Sequence, residues 1–167
     1  MQQSHVVGHT LVYPHHGAVT ITAIEVKKIG GVERTWLTLQ PLLNELSIQI
    51  PADQLNEIGV RELIDSDGIA ELIDILQEEF IEEPGNWSRR FKANGEKLAS
   101  GSVHRVGEVV RDLWRRSQGA KLSTGEKAMY QRASGILVTE FALARGIAEA
   151  DAHEEVEKIL AGEKIAV

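Results

Sequence analysis

Val19-Thr20-Ile21-Thr22-Ala23 alternates apolar and polar side chains with a period of two, and its reading decides how the chain begins. A strand sends successive side chains to opposite faces, so this run describes a half-buried β-strand. Just upstream, Leu11-Val12-Tyr13 is a short strand leading into the turn Pro14-His15-His16-Gly17. Downstream, Gly30-Gly31 predicts a tight hairpin, because both residues accept positive φ without a Cβ clash. Trp36, Thr38 and Leu39 belong to the returning strand. Pro41 has no amide to donate and belongs at a strand end or edge. Asn44-Glu45 is a second turn, after which Leu46, Ile48 and Ile50 alternate with Ser47 and Gln49 up to Pro51. Four or five short antiparallel strands within about 50 residues predict a small, strongly curved barrel. Leu42 and Leu43 stand outside this alternation.

From residue 55 the period becomes helical. Ile69, Leu72, Ile73 and Leu76 follow the spacing of one helix face, with Asp67 as the expected cap. Pro84-Gly85 breaks that helix, and Asn86 or Ser88 starts the next, which carries Phe91 and Leu98 and stops near Gly101. Ser102 caps a third helix with the stripe Val103, Val106, Val109, Val110, Leu113 and Trp114. Ser123-Thr124-Gly125-Glu126 is a capping box, in which hydroxyl and carboxylate satisfy free amides at the start of a fourth helix. That helix carries Met129, Ile136, Leu137, Phe141 and Leu143 and ends near Gly146. A last short helix holds Val156, Ile159 and Leu160. None of these stripes can be buried by its own helix, so they predict a compact bundle. The expected division is a β part over 1–54 and an all-helical part over 55–167, an α+β chain with the strands first.

Composition narrows the functional classes. There is no cysteine, hence no disulfide framework, thiol nucleophile or thiolate metal site. No apolar run reaches the about 18 residues that a membrane span requires, and Met1 to His9 lacks the pattern of a signal peptide, so a cytoplasmic protein is expected. His15-His16 are adjacent turn residues without a companion carboxylate or cysteine cluster, so no metal is expected there. The acidic run Glu78, Glu79, Glu82, Glu83 is a solvated helix end. Neither a Gly-x-Ser-x-Gly elbow nor a phosphate-binding Gly-rich loop ending in Lys-Ser/Thr is present, so the expectation is no enzyme and no cofactor.

The net charge of −7 is unevenly distributed: residues 55–85 carry −9, whereas residues 86–132 carry +7. Phosphate attraction follows the local field more than the total. The basic stretch opens on Asn86-Trp87-Ser88-Arg89-Arg90-Phe91-Lys92. Amides at a helix start attract anions, and Arg89, Arg90 and Lys92 add cations beside a large flat ring. Such a group suits insertion beside unstacked bases. The plainer alternative folds Trp87 down on Phe91 or on an adjoining domain, with the cations as a solvated helix surface. Lys127, near the Ser123 cap, is a second candidate for phosphate contact, and Arg115 and Arg116 a third at a helix C-terminus. Trp114 continues the valine stripe and belongs to the core.

Several ordered motifs occur at matching separations. These are Val12-Tyr13-Pro14-His15-His16-Gly17; Glu83-Pro84 with Asn86-Trp87-Ser88-Arg89-Arg90; Val109-Val110-Arg111-Asp112-Leu113-Trp114-Arg115-Arg116; and Leu122-Ser123 with Gly125-Glu126-Lys127. From about Val7 to about Glu157 the chain resembles the CarD family of bacterial transcription regulators in its actinobacterial form. The resemblance implies a Tudor-like N-terminal barrel, similar to the polymerase-interacting domain of transcription–repair coupling factors, that binds the RNA polymerase β subunit. It implies a helical C-terminal domain on promoter DNA at the upstream edge of the melted region. There Trp87 would act as a minor-groove wedge against bubble collapse, with Arg89, Arg90, Lys92 and Lys127 on the DNA. Two polymerase-contact positions carried over from the family differ: where relatives carry Arg, this chain has Lys27 and Gln49. Lys loses the bidentate fork and Gln the charge. Ile29, on the strand of Lys27, would join an edge pairing with polymerase.

The expected function is therefore an RNA-polymerase-binding regulator that stabilises the open promoter complex, acting as a monomer with no membrane or metal partner. Two rival classes make different predictions. A stand-alone DNA-binding module would bind tightly and salt-dependently through residues 55–167 alone. A protein-interaction adaptor would use Trp87 as an anchor and would tolerate neutralisation of Arg89 and Arg90.

Overall fold

A computed structural model describes residues 5–79 and 86–166. The predicted break at Pro84-Gly85, and Glu82 and Glu83 of the acidic run, lie outside the described residues. The chain forms two compact units, Met1–Leu63 and Ile64–Val167.

In the first unit, β1 (Thr10–Tyr13), β2 (Gly17–Ile29), β3 (Val32–Pro41) and β4 (Ile48–Pro51) form one antiparallel sheet in sequence order. Gly30 and Gly31 both take positive φ, 61° and 82°, which is the conformation a two-residue hairpin needs. A bulge at Thr22 shifts the β2–β3 register between Ile21 and Ala23 and bends the sheet. Leu11, Val19, Ile21, Leu37, Leu39 and Ile50 are buried together on the concave side. The sheet is a half-barrel: β1 and β4 are its two ends, and β1 is extended by a bridge between Val12 and Arg61. After β4 come a single 3₁₀ turn (Ala52–Gln54) and one helical turn, α1 (Leu55–Ile58). Leu55 joins the sheet core, and Arg61 exchanges backbone hydrogen bonds with Val12. The unit therefore ends at Leu63, beyond the change of period at residue 55, because these residues close the sheet rather than open the bundle.

The second unit contains α2 (Ser66–Gln77), α3 (Trp87–Ala99), α4 (Val103–Gly119), α5 (Thr124–Arg145) and α6 (Glu149–Leu160). The cap of α2 is Asp65, whose carboxylate accepts from the Gly68 amide at 2.8 Å; Asp67, the expected cap, falls inside the first turn. Ser102 caps α4 and Gly146 ends α5 with φ 69°, both as the sequence predicts. The central helix is α5, which contacts α2, α3, α4 and α6 and buries Ile136, Leu137 and Phe141. Leu143, expected on its buried stripe, is 37% exposed. Trp114 packs against the core as expected. Gly107 allows α4 to approach α2, since a Cβ there would lie 2.7 Å from Leu72 Cδ1. Glu140 is fully buried, and one of its oxygens accepts from the Ile64 amide at 3.0 Å, fixing the start of the unit to α5. Among the described residues no helix is long and apolar enough to cross a membrane.

Tyr130 on α5 gives a pH signature. Burial, with the Glu157 carboxylate nearby, pushes its phenol up to about 12. An unfolded tyrosine titrates near about 10, so between these two values the unfolded chain releases a proton that the folded chain keeps. Stability should be intact below the unfolded value and fall as pH rises through this window. Unfolding midpoints measured across it should fall less steeply in Tyr130→Phe; equal slopes would contradict the shift.

Candidate nucleic-acid interface

Trp87 is the first residue of α3, placed there by Asn86, whose side chain accepts from the Arg89 amide at 2.8 Å. One helical turn on, Phe91 lies under the indole, the two rings stacked with centroids 4.8 Å apart and an interplanar angle of 15°. This is an i, i+4 pair on one helix face, the plainer packing foreseen for this tryptophan. The indole is nevertheless 43% exposed.

The N-terminus of α5 fixes the other side of the ring. Gly125 forms part of the floor: a Cβ there would sit 3.4 Å from Phe91 and 3.7 Å from Trp87 Cζ2. Trp87 Nε1–H donates to Ser123 Oγ at 3.3 Å and to Glu126 Oε1 at 3.2 Å. The capping box forms as the sequence predicts, with the Glu126 amide donating to Ser123 Oγ and the Ser123 amide to Glu126 Oε1. Glu126 is nonetheless buried, 6% exposed, and its second oxygen forms an ion pair with Arg116 Nε at 3.2 Å. One carboxylate thus joins α3, α4 and α5. One ring face thus rests on Phe91 and the Nε1–Cζ2 edge on α5.

The basic residues divide by position. Arg90 follows Trp87 by three residues and lies on the same side of α3; Arg89 and Lys92, three residues apart, share the opposite side of the helix. Arg89 and Lys92 are exposed and Arg90 is half-buried. Lys127 is exposed, one residue past Glu126 in the first turns of α5. Arg116 and Arg115, considered for phosphate contact, are engaged internally: Arg116 with Glu126, and Arg115 with the Leu76 carbonyl at 3.4 Å. Sequence reasoning saw Glu126 only as a cap. Its burial and its bond to Trp87 depend on residues 39 positions apart, for which no local signal exists.

In the sheet unit, the register places the three other candidate residues on one face. Residues opposed in an antiparallel pair point the same way, and so do residues two apart. Lys27 opposes Arg34, Ile29 opposes Val32, and Gln49 opposes Thr38, which in turn opposes Ala23. Lys27, Ile29 and Gln49 therefore share the convex face, with Trp36 and Arg34, which sequence reasoning had not singled out. Ile29 is 61% exposed. Lys27 Nζ lies 5.5 Å from the centre of the Trp36 ring and 3.7 Å from Glu25. Arg34 pairs with Asp53 at 2.7 Å.

Comparison with known proteins identifies both units. Residues 6–64 match the CarD-like/TRCF RID domain, and residues 71–157 match the CarD C-terminal domain. A Bacillus subtilis (strain 168) protein named "Putative transcription factor YdeB" is 29% identical over 143 residues, spanning 86% of this chain and 94% of that protein. The solution NMR structure of the 72-residue N-terminal domain of Myxococcus xanthus CarD is 28% identical, covering 37% of this chain and 89% of that one, with a TM-score of 0.30. With its sheet unit and the greater part of its helical unit each matched by a CarD domain, the chain belongs to the CarD family of transcription regulators.

Proposed function

We propose that this regulator docks on RNA polymerase through its sheet unit and stabilises the open promoter complex through its helical unit. The observation that carries the reading is the Trp87 ring: partly exposed, anchored on two sides, and on a helix that also bears Arg89, Arg90 and Lys92, with Lys127 one residue past its anchor Glu126. A loose tryptophan would lose conformational freedom on contact with DNA; one already stacked and hydrogen-bonded does not. Its indole N–H is occupied by Ser123 and Glu126, so the ring offers DNA shape and apolar surface rather than a donor to a base edge. That suits a wedge at a deformable base step with little sequence preference. The cations set the unit on phosphates, which position without specifying.

Docking supplies what weak DNA binding lacks. The face bearing Lys27, Ile29 and Gln49 is the proposed contact with the polymerase β subunit. Held there, the helical unit has a high effective concentration at the promoter. Only contacts made better in the open than in the closed complex shift the balance, and a ring filling the gap at a melted edge meets that condition.

The test is the lifetime of open complexes formed by cognate polymerase on a ribosomal-RNA-type promoter, measured after competitor challenge with and without the chain. The chain should lengthen it, and Lys92→Glu with Lys127→Glu should weaken the effect most at low salt, where phosphate contacts contribute most. No change with the wild-type chain would refute the function. A full effect from residues 64–167 alone would favour the stand-alone module.

A further inference from the structure

We infer that Glu126 is the positioning residue for Trp87: its carboxylate sets the angle at which the ring is presented to DNA. The inference rests on the wedge reading and adds a residue that does not itself meet the nucleic acid. A buried carboxylate is costly unless its charge and both oxygens are compensated. Glu126 is compensated on every side, but not merely as a helix cap. Oε1 accepts from Trp87 Nε1 at 3.2 Å and from Ser123 Oγ at 3.1 Å. Oε2 faces Arg116 Nε at 3.2 Å. The N-terminus of α5 adds its own positive potential at this third helical position.

A capping box needs only an exposed glutamate on the surface of its helix. Here the glutamate is covered, draws an arginine from the last turn of α4 and accepts the one polar hydrogen the indole has. The stack on Phe91 restrains the ring against tilting but leaves it free to slide in its own plane. The Nε1–H bond removes that freedom, because it fixes one edge. Arg116, a cation otherwise available to phosphate, is held by the same carboxylate.

The experiment is a double-mutant cycle on the full chain, read as open-complex lifetime, with the Trp87 indole N–H resonance of the free protein as a second readout. The Trp87 signal is assigned by its loss in Trp87→Ala. Glu126→Ala should shorten the lifetime by about 2- to 13-fold, the range for a lost hydrogen bond, and should shift the indole signal and speed its exchange with solvent. In the Trp87→Ala background the same change should have almost no effect on lifetime. Glu126→Gln keeps an acceptor for Nε1–H and should retain most of the lifetime and the indole protection. Ser102→Ala removes a comparable cap from α4 and should leave the lifetime unchanged. An equal loss from Glu126→Ala in both backgrounds, or an indole signal indifferent to it, would overturn the inference. If Trp87→Ala itself has no effect on lifetime, the wedge reading fails instead.

Discussion

Phe141→Ala should melt the helical unit at a temperature lower by more than about 10 °C, because truncating a fully buried phenylalanine costs about 3–5 kcal/mol. Phe141 is among the largest side chains with no exposure at all, and it sits on α5, the helix that α2, α3, α4 and α6 all touch. The cavity would open at the centre of the bundle, where no single neighbour can collapse to fill it. A domain holds about 5–15 kcal/mol in total, so this one change removes a large part of the reserve. Leu143→Ala, two residues on and 37% exposed, is the matched control and should cost well under half as much. Thermal unfolding followed by helical circular dichroism gives both values; equal shifts would contradict the assigned core. The functional effect should be selective. The first unit has its own buried cluster, so docking on polymerase should persist while stabilisation of the open complex is lost.

Trp87→Ala should shorten the open-complex lifetime by about 5- to 150-fold if stacking worth about 1–3 kcal/mol acts on the open state alone. The Phe91 stack and the bonds to Ser123 and Glu126 mean that the substitution also disturbs packing. Thermal unfolding separates the two effects. Trp87→Phe keeps an aromatic ring over Phe91 but loses the N–H anchor; it should retain most of the stability and only part of the lifetime. The prediction fails if Trp87→Ala and wild type give equal lifetimes while both bind polymerase. It also fails if lifetime falls only in proportion to the folded fraction.

What was legible in the sequence was local. The alternation from Val19 to Ile21, the Gly30-Gly31 turn, the Ser102 cap and the Ser123–Glu126 box each depend on residues within a few positions, and each appears as read, whereas the bulge at Thr22 ends the alternation and turns Ala23 to the convex face. The cap of α2 shows the limit of that reasoning: Asp65 and Asp67 satisfy the same rule, and it is Asp65 that takes the extended backbone and accepts from the Gly68 amide. The end of the first unit was hidden for a different reason. Residues 55–58 do form a helical turn, but whether that turn belongs to the sheet or to the bundle depends on Leu55 meeting the sheet core and Arg61 pairing with Val12. That Trp87 opens a basic stretch of sequence was visible, whereas what holds the ring was not. Glu126 read only as a helix cap and Glu140 carried no signal at all, yet both are buried, with partners dozens of positions away.

The central claim, that the exposed side of residue 87 meets DNA at the edge of the bubble, is tested most directly by photo-crosslinking. A photoreactive phenylalanine analogue replaces Trp87 in the full chain, and crosslinks are mapped to single bases in complexes with cognate polymerase. The account predicts crosslinks at the upstream edge of the melted region in open complexes, with few or none when the promoter is held closed. Crosslinks confined to polymerase, or DNA crosslinks indifferent to melting, would contradict it.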